Sequence, residues 1–175
     1  MSAILFVLVL ALSAPAEVDM SKLTILSPAF ENQAPIPTKH TCEGEDVSPA
    51  LAWEGLPKGT KSLALVVDDP DARAATWVHW VLYDLPPTAT GLRAGVRLAD
   101  LPAGTREGQN DWGRVGWRGP CPPSGRHRYL FKLYALDTAL GDRGALTKAE
   151  LESALRGHVL ARAELVGTYQ KKGAR

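Results

Sequence analysis

Apolar positions in this chain come in short runs, and almost every run is stopped by Gly or Pro. Leu51-Ala52-Trp53 is a candidate strand closed by Gly55-Leu56-Pro57. Ser62 to Asp68 is apolar and rich in β-branched residues, which predicts a buried strand ending before Pro70. Trp77 to Asp84 and Tyr129 to Leu136 are further runs of this kind, the first ended by Pro86-Pro87. Ala161 to Tyr169 reads as a last strand. Gly104 to Gly119 is polar and Gly-rich and reads as a long loop. Short strands bounded by turn residues argue for a mainly β sandwich.

One helix interrupts this pattern. Thr147-Lys148-Ala149-Glu150 is a capping box, in which the Thr hydroxyl and the Glu carboxylate satisfy amides at the helix start. Leu151, Ala154 and Leu155 supply an apolar stripe, and Gly157 is a natural terminator.

Composition adds bounds rather than detail. At 175 residues, 45% hydrophobic and 22% charged, the chain suits one domain with its own core. Net charge is +1 and no basic run exists, so nucleic acid is not an expected partner. Sixteen Gly and thirteen Pro predict many turns.

The N-terminus stands apart. Ala3 to Leu12 is uninterrupted and apolar, and Ser13-Ala14-Pro15-Ala16 follows with small residues. Residues 1–16 therefore read as a signal peptide and 17–175 as a single domain, although the segment before the apolar run lacks Lys and Arg. The run is too short to span a bilayer. Two alternatives are an N-terminal extension of the fold and a start at Met20. Export predicts a periplasmic or secreted protein; a start at Met20 predicts a cytoplasmic one. No Cys follows the run to carry a lipid anchor. Only Cys42 and Cys121 exist, and an oxidising compartment would favour a disulfide between them, whereas the cytosol would leave two thiols.

Polar chemistry collects at two strand margins. Asp68-Asp69-Pro70-Asp71 is followed by Trp77-Val78-His79-Trp80. Proline stiffens the turn that holds Asp69 and Asp71. Those carboxylates serve either a pocket or the turn's own amides. Strict alternation places His79 with Trp77 and Val81, and Trp80 on the other face. His79 is then either a satisfied core residue or an oriented pocket imidazole. Far along the chain, Gly119-Pro120-Cys121-Pro122-Pro123-Ser124-Gly125-Arg126-His127-Arg128-Tyr129 precedes another strand. There His127 and Tyr129 share a face, and Arg128 points away to the surface or a salt bridge. The bland alternative is a proline-rich turn feeding an ordinary strand.

Together these segments resemble the phosphatidylethanolamine-binding protein family, in its bacterial and archaeal Raf-kinase-inhibitor-like branch. The resemblance runs from Ser27-Pro28-Ala29-Phe30 to Gly167-Thr168-Tyr169, and includes Gly157-His158-Val159-Leu160-Ala161 near the end. It implies two packed antiparallel sheets with Greek-key connections and a few short peripheral helices. It implies a ligand-binding pocket drawn from Asp69, Asp71, His79, Gly119, Pro122, Pro123, His127 and Tyr129. Asp69, His79, His127 and Tyr129 are its polar centre, while Asp71 is better suited to bracing the turn. Imidazole N–H groups and a phenol can donate to a phosphate, phospholipid headgroup or carboxylate. The Asp69 carboxylate is expected to orient one imidazole and favour its charged form, so that anions bind more weakly as the histidines deprotonate. The chain departs from the pattern at Arg73, where Pro is common after Asp71-Ala72. Arg73 is expected to face water rather than the ligand.

The expected function is a binding or inhibitory module acting on a protein target such as a peptidase or kinase. The alternative is a hydrolase-like enzyme using an Asp–His pair as general base. A third reading is a stable scaffold whose pocket is vestigial. No nucleophile elbow, P-loop or Cys-x-x-Cys is present, and no cofactor is expected. His40-Thr41-Cys42 is a conceivable start to a metal site, but no second cluster supports it, and no metal is expected. The branch also implies a homodimer, for which Trp112 and Trp117 are the candidate sticky surface unless they fold back onto the core.

Overall fold

Eight strands, one α-helix and two short 3-10 helices, Thr38–His40 and Leu98–Asp100, make up the fold, in a computed structural model that describes residues 23–173. The expected signal peptide at 1–16 lies outside the described residues. The strands are β1 (Thr24–Leu26), β2 (Leu51–Glu54), β3 (Ser62–Asp69), β4 (Trp77–Leu85), β5 (Gly91–Leu92), β6 (Arg106–Glu107), β7 (Arg126–Leu136) and β8 (Val159–Gln170). The helix α1 is Lys148–Leu155. One sheet has the order β1-β2-β5 and the other β6-β4-β3-β7-β8, with antiparallel pairing throughout.

The main-sheet core is β3. All eight of its residues are buried, because strands flank it on both edges and both faces are covered. On one face Leu63, Leu65 and Val67 pack with Ile25, Leu51, Trp53 and Leu92 of the small sheet, together with Phe131 and Leu133. On the other face Ala64 and Val66 meet Val81, Tyr83, Leu151 and Leu155. The apolar stripe of α1 thus covers the outer side of the main sheet. Its capping box forms as read, with Thr147 accepting from the Glu150 amide and Glu150 accepting from the Thr147 amide.

The polar Gly104–Gly119 segment is more ordered than a simple loop. Arg106 and Glu107 pair with Tyr83 and Leu82 as an edge strand, and Gln109 bridges to Val115. Beyond them, buried Asn110 accepts from the Trp112 and Arg114 amides and donates to the Gly116 carbonyl. Asp111 then clasps β4: its amide donates to Val78 O, and its carboxylate accepts from Val78 N. Polarity here signals internal hydrogen bonding by the side chains, which alternation alone does not reveal.

A disulfide joins Cys42 to Cys121, with Cα atoms 5.4 Å apart across 79 residues of sequence. Around it the backbones run close. Cys42 N donates to Pro120 O, and Gly119 N donates to Asp46 Oδ1. A Cβ on Gly119 would stand 2.3 Å from the His40 carbonyl oxygen, so only glycine fits there. His40 turns its Nδ1 to the Val47 carbonyl, and Cys42 is bonded to Cys121, so both are engaged in structure rather than in a metal site.

Candidate functional site

The site lies where β3, β4 and β7 end together. Asp69 closes β3, Trp77 and His79 open β4, and His127 and Tyr129 open β7. Asp69, His79, His127 and Tyr129 line one cavity of about 290 Å³, joined by Ala72, Arg73, Trp77, Trp112, Cys121, Pro122 and Pro123. Asp69, His79, His127 and Tyr129 are all buried. Apart from Arg73, the rest of the wall is apolar or aromatic, the usual make-up of a small-ligand pocket.

His79 reaches this position through an irregularity. Val67 pairs with Trp80, but Asp68 pairs with Val78, so the β3–β4 ladder skips His79. An extra residue of this kind re-aims its side chain and shifts the alternation that follows. Trp77 consequently pairs with Asp69, and Trp80 with Val67, two residues of β3 that share a face. This corrects the strict alternation that set Trp77 and Trp80 on opposite faces.

Hydrogen bonds orient both imidazoles. His127 Nδ1 lies 2.7 Å from Asp69 Oδ2, and because an ionised carboxylate only accepts, Nδ1 carries the proton. The other Asp69 oxygen accepts from the Asp71 amide at 2.8 Å. His79 Nδ1 lies 2.5 Å from the Arg118 carbonyl, which also only accepts. Each ring therefore has Nε2 left for a ligand. The His79 ring is further wedged edge-on between Trp112 and Tyr129, with centroids 5.1 Å away in each case.

Asp69 is expected to orient one imidazole and favour its charged form, and His79 is not that imidazole. Burial lowers the His79 pKa below its ordinary 6.5, outweighing the Arg118 carbonyl and the Asp69 charge. At neutral pH its Nε2 is thus an acceptor. The imidazole that Asp69 orients is His127. Burial, reinforced by the Asp69 carboxylate, pushes the Tyr129 phenol far above its ordinary 10.0. Tyr129 keeps its proton, yet its buried hydroxyl makes no hydrogen bond of normal geometry.

Two sequence-selected residues stand outside the cavity lining. Asp71 is held by Arg128, which donates Nε to Oδ2 and Nη2 to Oδ1, while the Arg128 amide adds a third bond. That pairing lowers the Asp71 pKa to about 2. Asp71 braces the turn, as its alternative reading had it. Gly119 instead packs against the His40 carbonyl.

Five lining residues escaped the sequence reading as part of the pocket: Ala72, Arg73, Trp77, Trp112 and Cys121. Arg73 is exposed, but its Nη2 donates to Ser124 Oγ at 2.9 Å, crossing from the β3–β4 turn to the β7 approach. It faces water as expected, and also bonds Ser124 beside the cavity it helps to line. Trp112 stands edge-on to Trp77 at 5.4 Å and lies under the Arg118 guanidinium at 5.7 Å. Trp117 packs instead with Trp80 and Phe131. Both indoles fold back onto the protein rather than forming a loose surface patch.

A larger cavity, about 450 Å³, lies over the β7–β8 face between Lys132, Tyr134, Arg162 and Glu164. It contains none of the converging imidazoles, so the chemistry favours the smaller site.

A two-sheet β fold with a strand-end His/Asp/Tyr pocket defines a class of small-ligand-binding proteins, and comparison places this chain within it. The phosphatidylethanolamine-binding protein family model matches residues 26–170, and the chain belongs to that family. It is 50% identical over 144 residues to a UPF0098 protein of Methanothermobacter thermautotrophicus, covering 82% of this chain and 95% of that one. A Pyrococcus horikoshii UPF0098 protein is 45% identical over 152 residues, covering 84% and 76%. Among solved structures, the putative phosphatidylethanolamine-binding protein homologue CT736 of Chlamydia trachomatis superposes with TM-score 0.81 at 39% identity, covering 87% of this chain and 99% of that one. Escherichia coli YbcL, described as a member of the mammalian family, gives TM-score 0.80 at 34% identity, with 86% and 99% coverage.

Proposed function

We propose that this protein is a binding module whose pocket captures a singly charged anionic group, with a phosphomonoester carrying one proton as the best match. The observation that carries this reading is a cavity shared by two oriented imidazoles and the buried, protonated Tyr129 hydroxyl, which meets the Asp69 carboxylate but makes no hydrogen bond of normal geometry. A buried donor without a well-formed hydrogen bond costs free energy that a ligand oxygen can recover. Tyr129 donates to one oxygen. Neutral His79 accepts through Nε2 from the group's remaining P–OH. Arg73 at the mouth supplies the opposing charge. Asp69 has an oxygen in each of two bonds, so it orients His127 and does not meet the ligand as a bare anion.

Such a group is carried by a phospholipid headgroup, a phosphorylated side chain or free phosphate, and a carboxylic acid presents related chemistry. The downstream role we propose is modulation of a peptidase or kinase that offers this group. We further propose that the protein works in an oxidising compartment, as the Cys42–Cys121 disulfide supports.

Calorimetric titration with inorganic phosphate, a phosphomonoester and acetate tests the pocket. Binding is expected in wild type, with the phosphomonoester tightest, and is expected to be lost in His79→Ala and Tyr129→Phe. His158→Ala should bind as wild type does, because His158 pairs with Asp137 on the surface. Equal binding by His79→Ala, Tyr129→Phe and wild type would overturn the reading.

A further inference from the structure

The seven buried side-chain atoms without a hydrogen-bond partner among the described residues are not scattered evenly. Four of them, on Ser48, Thr105, Arg106 and Trp117, lie around Glu107 on the edge strand β6. Glu107 borders two cavities. One, of about 250 Å³, includes Ser48, Gly95, Gly116 and Trp117; the other, of about 200 Å³, includes Thr105, Arg106 and Val115. Leu98 and Glu107 line both, so the two adjoin. Each exceeds the roughly 30 Å³ share of a single water.

The charge pattern is lopsided. Glu107 accepts one bond from the Trp80 indole at 3.3 Å, and among the described residues no cation pairs with it. The nearby arginines are engaged elsewhere: Arg97 with Asp100 and Arg106 with Asp142, each at 3.0 Å. Burial accordingly raises the Glu107 pKa from its ordinary 4.5. Trp117 Nε1 and the Ser48 hydroxyl, 2% exposed as a residue, are buried donors without a partner on residues that line the same cavity. Leu98 and Val115 add exposed apolar surface, 56% and 49% accessible.

A carboxylate without a cation, beside donors without acceptors, matches a ligand that carries a cation next to an acceptor. We propose that Glu107 anchors a second ligand site, distinct from the His79 pocket, which takes an α-ammonium and its neighbouring carbonyl oxygen. The ammonium pairs with Glu107, the oxygen accepts from Trp117 Nε1 and Ser48 Oγ, and an aliphatic side chain rests on Leu98. A free amino acid carries this chemistry, as does the first residue of a peptide. A peptide continues past Glu107 into the second cavity, where Thr105 Oγ1 and the Arg106 Nε–H meet its next amide.

The test is titration of the full protein with L-leucine, L-leucinamide, N-acetyl-L-leucine and Leu-Gly-Gly. Calorimetry and the Trp80 and Trp117 indole N–H resonances are the readouts. The first two and the tripeptide should bind and move both resonances. Acetylation should weaken binding by at least about tenfold, since a charge-assisted hydrogen bond is lost. Glu107→Gln should weaken it equally at an unchanged melting temperature, and Ser48→Ala gives a second variant if Glu107→Gln misfolds. His79→Ala should bind as wild type. A tripeptide tighter than leucinamide identifies a peptide end, and equal affinity identifies a free amino acid. No resonance shift with any of the four, equal binding by N-acetyl-leucine, or loss of binding in His79→Ala would overturn the proposal; cavities holding only water give the first of these.

Discussion

His127 and Asp69 are 58 residues apart in sequence, yet Nδ1 of one lies 2.7 Å from a carboxylate oxygen of the other, and both are buried. The antiparallel pairing of β3 with β7 brings them together, because Asp69 ends one strand where His127 begins the other. This bond decides which His127 nitrogen a ligand meets.

Asp69→Ala should therefore act on both binding and stability. It strands the His127 Nδ1–H and the Asp71 amide, each of which donates to Asp69 now. A loss of about 1–3 kcal/mol is expected for the buried His127 donor left unpaired, and less for the half-buried Asp71 amide, which water can reach. Urea denaturation should show the lower midpoint, and phosphate affinity should fall with it. Asp69→Asn, which keeps an acceptor, should lose less stability.

The acid side of the stability curve should carry the signature of His79. Its folded pKa is below the unfolded value near 6.5, so the unfolded chain takes up this proton first as pH falls. The His79 contribution is complete above that value and is lost as pH drops from about 6.5 toward the lower folded pKa. Melting temperatures between pH 7.5 and about 5 should fall less steeply in His79→Gln than in wild type. Parallel curves would contradict the buried, neutral imidazole.

Asp71 should act at lower pH. Arg128 holds its pKa at about 2, against 3.8 ordinarily, so its contribution is present above 3.8 and is lost as pH falls toward about 2. Asp71→Asn should flatten the melting curve in that window only. High salt should shrink the difference, because Arg128 is largely exposed.

The disulfide should stabilise the chain by closing a long loop in the unfolded state, with the chain-entropy model giving roughly 4–5 kcal/mol. Protein kept oxidised should take up no alkylating reagent before reduction. Cys42→Ser/Cys121→Ser should lower the urea midpoint. Since Cys121 also lines the pocket wall beside Pro122, phosphate affinity should drop as well.

Arg73→Ala should weaken phosphate binding several-fold with little change in melting temperature, as its partner Ser124 and its own side chain lie at the surface. The loss should be greater at low ionic strength, where an exposed charge is screened least. Equal affinities at low salt would place Arg73 outside the recognition chemistry.

Much of this was legible in sequence because the signals are local. The capping box Thr147–Glu150 needs only one turn of helix to form, and it forms. The apolar run from Ser62 reads as a buried strand because Pro70 must stop it and nothing polar interrupts it before Asp68. The order of motifs also pointed to the family and to its two-sheet fold, which the family match and the solved relatives bear out. Other features belong to distances that no local pattern encodes. The skipped pairing at His79 depends on how β3 and β4 meet, and a strict two-residue period cannot anticipate it. Trp112 reaches the pocket because Asn110 and Asp111 fold a polar segment back onto β4. Arg73 joins the rim because the turn after β3 stands opposite Ser124. The neutral state of His79 follows from burial, which only the assembled sheets create. Sequence determined the longer strands β3, β4, β7 and β8, the short β2, the helix and the residue types at their ends, but not the short β1, β5 and β6. Tertiary packing decided which of those ends face one another, and so which polar groups remain free for a ligand.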